Sequence, residues 1–235
     1  MRVHQSPADQ PSPPFDHLAA RRLREALGMA PGHVAYSMRA SYGLGHVTPD
    51  TVTAWERGQA APSATELTAL AGALWCAPGE LLRAATTLRE HRLARGLAPE
   101  DVARAVGFDH ATYLRMEDTG KWRGNERQSA ALSEVLGLSA RDFTTVTGRD
   151  EKLADLLRSA ATARWEGYVR PVAKLVPVAR DIVEYALDRL HGEYHSRMVS
   201  TLSWGSTQSS TGDAGREFLE RIVDEFWSLV RSQGA

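Results

Sequence analysis

The chain of 235 residues has one cysteine, Cys76, and three lysines, Lys121, Lys152 and Lys174. A single thiol excludes an intrachain disulfide and any cysteine-rich zinc site. Cys76 lies in the apolar stretch 73–76, which marks it as a core residue rather than a reactive thiol. An excess of one charge sign is also missing. The 28 basic residues face 29 acidic ones, for a formal net charge of −1. No global basic surplus marks a nucleic-acid binder, and no acidic tail marks a mimic of one. No stretch approaches the ~20 apolar residues of a membrane span, so no contact with a membrane is expected. Residues 1–15 hold four prolines and no apolar run, unlike a signal peptide, which makes a cytoplasmic location the expectation. Strand-like alternation is nearly absent.

What remains is an ordinary globular composition, 43% hydrophobic and 24% charged, in which 25 of the 28 cations are arginine. Most positive groups are therefore planar forks suited to phosphate and to guanine. Residues 1–16 are rich in Pro, Ser and Asp and are expected to be disordered. From 17 to about 147 the apolar residues recur at helical spacing in short bursts. Gly or Pro punctuates them every 10 to 15 residues, as tight turns between short helices require.

This segment matches itself. Arg24, Gly28, Met29, Val34 and Ala35 correspond to Arg92, Gly96, Leu97, Val102 and Ala103 at a constant offset of 68. Thr51, Val52, Trp55 and Glu56 correspond to Thr112, Tyr113, Met116 and Glu117 at an offset of 61. The first copy thus carries seven extra residues, placed within 39–46. In the second copy a helix ends near Gly96 and another opens at Pro99, where proline fits the first turn. That helix stops at Gly107, and Asp109 caps a third. Val102, Ala103, Val106, Phe108, Tyr113 and Met116 are its candidate core.

The run Gly96-Leu97-…-Asp101-Val102-Ala103-…-Val106-Gly107-Phe108-Asp109 resembles the Cro/phage-repressor (XRE) type of helix-turn-helix DNA-binding family. It departs from the pattern at Ala98, usually Thr or Ser, and at Pro99, often Gln. The first copy's Trp55-Glu56-Arg57-Gly58…Pro62-Ser63 tail, followed by Leu67, Leu70, Ala71 and Leu74, resembles the same family more specifically. The resemblance spans about 17–147. It implies an all-α protein with two tandem Cro-like domains, 17–84 (extended turn 39–46) and 85–147, followed by a helical C-terminal domain, 148–235.

In such a fold the third helix enters the major groove and its N-terminal residues meet base edges. By that resemblance the second copy's base-facing positions are His110, Ala111 and Arg115. Arg115 can fork onto guanine, and Thr112 can hold the backbone. Lys121 and Arg123 follow in a loop suited to phosphate. The first copy presents Pro49, Asp50 and Ala54 instead, which offer little to bases. Thr48, Thr51, Thr53 and Arg57 can still bond phosphates. Arg39, on the extended turn with Tyr42 and His46, makes that turn either a wing reaching DNA or a tolerated surface insertion. The expected division of labour has the second copy reading sequence while the first positions the protein on phosphate.

The C-terminal third carries no recognised family pattern. A helix is expected from Leu153 toward Trp165, another from Val178 to at least Leu190, and a last one over Phe218–Val230 with a broad apolar face. Residues 203–212 read as a flexible loop. Eighty-odd residues with three Trp form a modest core, so this part is read as a dimerisation or effector domain. His191 and His195 share a helix face but have no evident third ligand. Glu193 is misplaced for a metalloprotease, so surface histidines are the expectation and no metal site is assigned. No nucleophile elbow, phosphate loop or catalytic carboxylate pair is present, which argues against an enzyme and against a cofactor. The sequence therefore points to a prokaryotic, sequence-specific transcriptional regulator that binds double-stranded DNA as a homodimer at the nucleoid. Its alternatives are an antitoxin-like interaction protein and an architectural binder of low sequence preference.

Overall fold

The computed structural model describes residues 12–203 and 209–233. It is all-α: among these residues the only extended pairing is an isolated bridge between Phe15 and Leu82. The chain forms two compact units, Met1–Thr119 and Gly120–Ala235. The sequence repeat and the compact units divide the chain differently, because the second repeat runs across the boundary at 119.

The first unit contains α1 (His17–Ala26), α2 (Pro31–Tyr42), α3 (Pro49–Glu56), α4 (Ala64–Ala73), a 3-10 turn (Pro78–Leu81), α5 (Leu88–Ala94), α6 (Pro99–Val106) and α7 (His110–Thr119). Their ends follow local chemistry. Asp16 accepts the N–H groups of Leu18 and Ala19 to cap α1. Reciprocal capping boxes open α3 (Thr48 with Thr51), α4 (Ser63 with Glu66) and α5 (Thr87 with Glu90). Pro31, Pro49 and Pro99 stand in first turns, where no N–H is missed. Gly43 and Gly107 end α2 and α6 at φ +69 and +75, a conformation other residues rarely adopt. Met38, Val47, Val52, Trp55, Leu67 and Leu81 lie in the core of this unit, which Leu93 of α5 also joins.

The tail expected to be disordered through residue 16 is structured from residue 12. Phe15 is buried in the first core and Asp16 is the α1 cap, because an aromatic next to a capping residue has a site to fill. The rest of that expectation, residues 1–11, lies outside the described residues. Cys76 is half-buried against the same core. Burial, with Glu80 adding to it, pushes its thiol up to about 11, so it stays protonated. Its neighbour Trp75 turns outward at φ +53 and is 88% exposed, against the apolar pattern of 73–76.

The second unit contains α8 (Glu126–Leu136), α9 (Ala140–Val146), α10 (Asp150–Thr162), a 3-10 turn (Trp165–Tyr168), α11 (Val169–Ala173), α12 (Arg180–Ser203), α13 (Ser209–Glu220) and α14 (Ile222–Gln233). Its core joins Leu153 and Leu157 to Val183, Leu187 and Leu190, and to Phe218, Phe226 and Trp227. Ala140 of α9 packs on it, and Arg141 meets Asp224 at 2.6 Å. The single last helix expected from the apolar face breaks at Arg221. The break lets α13 pack on α12 while α14 packs on both α10 and α12. Of the expected loop 203–212, Ser203 ends α12 and 209–212 are helical; 204–208 lie outside the described residues.

Candidate nucleic-acid interface

One arginine side chain organises each copy of the repeat. Arg92, on α5, donates to both carboxylate oxygens of Glu117 at 2.8 and 2.7 Å, and to the carbonyl of Leu97 at 2.9 Å. It thereby ties the first helix of the repeat to the far end of α7 and to the segment that leads into α6. Arg24 repeats this in the first copy, bonding both oxygens of Glu56 at 2.6 and 2.8 Å and the Met29 carbonyl at 2.7 Å. Such bidentate forks fix orientation as well as energy. The pairs are 25 and 32 residues apart, and the difference is the seven-residue insertion. Tyr113 lies beside the second pair, and burial, reinforced by Glu117, holds its phenol well above the usual range. All four charged residues stand at constant offsets in the sequence repeat; the missed signal was that within each copy the Arg before the turn pairs with the Glu after it.

Held this way, α7 buries Tyr113, Met116 and Glu117 and exposes His110, Ala111 and Arg115. Thr112 is half-buried; its N–H donates to Asp109 Oδ1 at 2.9 Å, fastening the start of the helix. His110 is 3.2 Å from Glu100 on α6. Glu100 and Asp101 both occupy the first turn of α6, where they oppose a phosphate. The first turn of α2 has no acidic residue, and His33 there accepts the Ala30 N–H at 3.1 Å. In the first copy Thr48 and Thr51 bond each other across the capping box, and the Thr53 hydroxyl donates to the Pro49 carbonyl at 2.9 Å. Arg57 is exposed just past α3.

The extended turn is exposed at 40–43, 45 and 46 but is tied to the first core. Four of its seven extra residues lengthen α2, which has 12 residues against 8 in α6. The others form a turn whose Val47 is fully buried. Arg39 Nη1 donates to the Val47 carbonyl at 2.9 Å, and His46 meets Glu66 of α4 at 2.8 Å. Burial alone would raise the Glu66 carboxyl, but bonds from Ser63 and His46 hold it below its usual value. The Tyr42 hydroxyl fills the space a side chain on Gly72 would need. Lys121 and Arg123 are exposed and flank the buried Trp122, whose indole N–H donates to Ser129 at 2.8 Å. These two cations belong to the second unit, so the candidate residues fall into four sets: Arg39 on α2, those on and flanking α3, those on α7, and 121–123.

In the C-terminal part His191 is half-buried, 3.1 Å from the Ala161 carbonyl, with its ring 4.3 Å from that of His195. Among the described residues no three His, Cys, Asp or Glu side chains gather as a metal site. No helix among them is long and apolar enough to cross a membrane.

No curated protein and no solved structure matches the chain. Residues 83–144, from just before α5 into α9, match the family model of a helix-turn-helix domain.

Proposed function

We propose that the protein is a sequence-specific DNA-binding regulator in which α7 reads base edges and the first copy grips phosphate. The observation that carries this is the second-copy geometry within the helix-turn-helix match. The Arg92–Glu117 fork holds α7 with Arg115, His110 and Ala111 facing outward. The acidic first turn of α6 and the acid-free first turn of α2 support giving phosphate contact to the first copy. Arg57 and Thr53 would add to that contact, with Thr48 and Thr51 at the α3 N-terminus. Arg39 serves the turn. Lys121 and Arg123 supply phosphate contact from the second unit.

The tandem arrangement as two Cro-like copies rests on the repeated Arg–Glu fork. Self-association is assigned to the helices after 148, because a helical part of this size buries only a modest core and gains from a partner surface. Light scattering at increasing concentration tests the dimer; a monomer throughout would contradict it. A second reading, DNA binding with little base preference, is favoured by Pro49, Asp50 and Ala54 on α3. Selection of duplexes from a random pool, then salt titration on selected and random duplexes, separates the two. A regulator shows a large specificity ratio on a steep salt slope; the salt slope alone marks the second reading.

A further inference from the structure

The second unit contains a cleft of about 660 Å³ between α8, Phe143 of α9, and the segment that joins α11 to α12. That volume lies in the range of small-molecule sites. One flank is apolar, built by Phe143, Ala173, Val176 and Pro177. The other is polar, with Ser129 and Ser133 on successive turns of α8. Arg149 also lines the cleft. It is half-buried, its guanidinium lies 4.9 Å from the Phe143 ring centre, and Nη1 donates to the Leu175 carbonyl at 2.8 Å.

Arg149 differs from the two structural arginines of the first unit. Arg24 and Arg92 each face a glutamate, whereas no carboxylate is paired with Arg149 among the described residues. Burial accordingly lowers its pKa with nothing to oppose the shift, though an arginine remains charged at neutral pH. A partly desolvated cation with no carboxylate partner, lining a cleft with apolar residues beside it, is an incomplete ion pair. Lys174 adds a second cation at the rim, and Glu126, in the first turn of α8, subtracts one charge. The balance favours a single negative charge over a dianion.

We propose that this cleft binds a small monocarboxylate with an aromatic or branched apolar body. The carboxylate completes the Arg149 pair, the Ser129 and Ser133 hydroxyls donate to it, and the apolar body lies against Phe143, Val176 and Pro177. Because α8 belongs to the helix-turn-helix match while 173–177 does not, an occupant would bridge the last part of the matched segment and the C-terminal helices within the second unit. The site rests on the cleft alone, and its test needs no DNA.

The probes are benzoate, phenylacetate and 3-methylbutanoate, with their carboxamides and inorganic phosphate as comparisons, on the full-length protein. Thermal shift and calorimetry should give a Kd of about 1 mM or below for at least one carboxylate. Its amide should bind at least about tenfold more weakly. Ser133→Trp, which fills the cleft from an accessible helix position, should abolish binding while the protein keeps its cooperative melt. Lys174→Ala should weaken binding several-fold and leave Arg149 in place. Three outcomes would overturn the proposal: no carboxylate binding at ten times that concentration, equal binding of amide or phosphate, or binding unaffected by Ser133→Trp in a folded protein.

Discussion

Arg92 grips Glu117 through two parallel hydrogen bonds of 2.8 and 2.7 Å, with side chains only 7% and 1% exposed. The first copy's Arg24 and Glu56 form the same fork at 10% and 9% exposure. Taking one partner from a buried pair strands a charge, at a cost of about 3–5 kcal/mol. Glu117→Gln is therefore expected to destabilise the first unit by roughly that amount, and Glu56→Gln by less. The double change Arg92→Met with Glu117→Leu should recover most of the loss. Urea denaturation measures all three; a larger loss for Glu56→Gln would contradict the ranking.

Gly148 and Gly107 both have positive φ, +69 and +75, but differ in surroundings. A Cβ on Gly148 would stand 2.7 Å from the Gly120 carbonyl, while one on Gly107 meets nothing within 4 Å. Gly107→Ala should carry only the conformational cost, about 1–2 kcal/mol. Gly148→Ala adds a backbone collision and should cost clearly more. Melting of the two variants side by side checks this, and equal losses would count against it.

Hydrogen bonds from the Thr112 side chain and N–H hold the Asp109 carboxyl below its usual value of 3.8. A carboxyl with a folded pKa below its unfolded one stabilises fully above the unfolded value. That contribution fades as pH falls through the folded value. Asp109→Asn keeps a capping side chain but cannot titrate. Denaturation midpoints from pH 7 down to about 2 should fall less steeply for the variant below about pH 4. Parallel profiles for the two proteins would refute the link.

Arg57 is proposed to contact phosphate. Arg57→Ala should weaken binding to every duplex alike and reduce the salt slope by about one. A change in base preference from this substitution would move α3 from positioning to readout.

Much of the fold was legible because its signals are local. Pro99, Gly107 and Asp109 each mark a helix end by backbone chemistry: α6 begins at Pro99 and ends before Gly107, and α7 begins after Asp109. The constant offsets exposed the repeat, and with it the residues that became the Arg–Glu forks. What the sequence concealed depends on partners far along the chain. Phe15 found a core by bridging Leu82, the seven-residue insertion closed on Glu66 and Gly72, and Arg221 broke a helix so that two helices could share α12. The Arg149 cleft was equally hidden, since its walls come from residues up to 53 positions apart.

The central claim is that Arg115 on α7 reads a base. Anisotropy titrations on the selected duplex, and on variants with each base pair changed, compare the wild type with Arg115→Ala. The account predicts that Arg115→Ala loses about 1–3 kcal/mol on the selected duplex and becomes indifferent to one base pair while still discriminating at the others. An equal loss on selected and random duplexes, with every base preference retained, would contradict it.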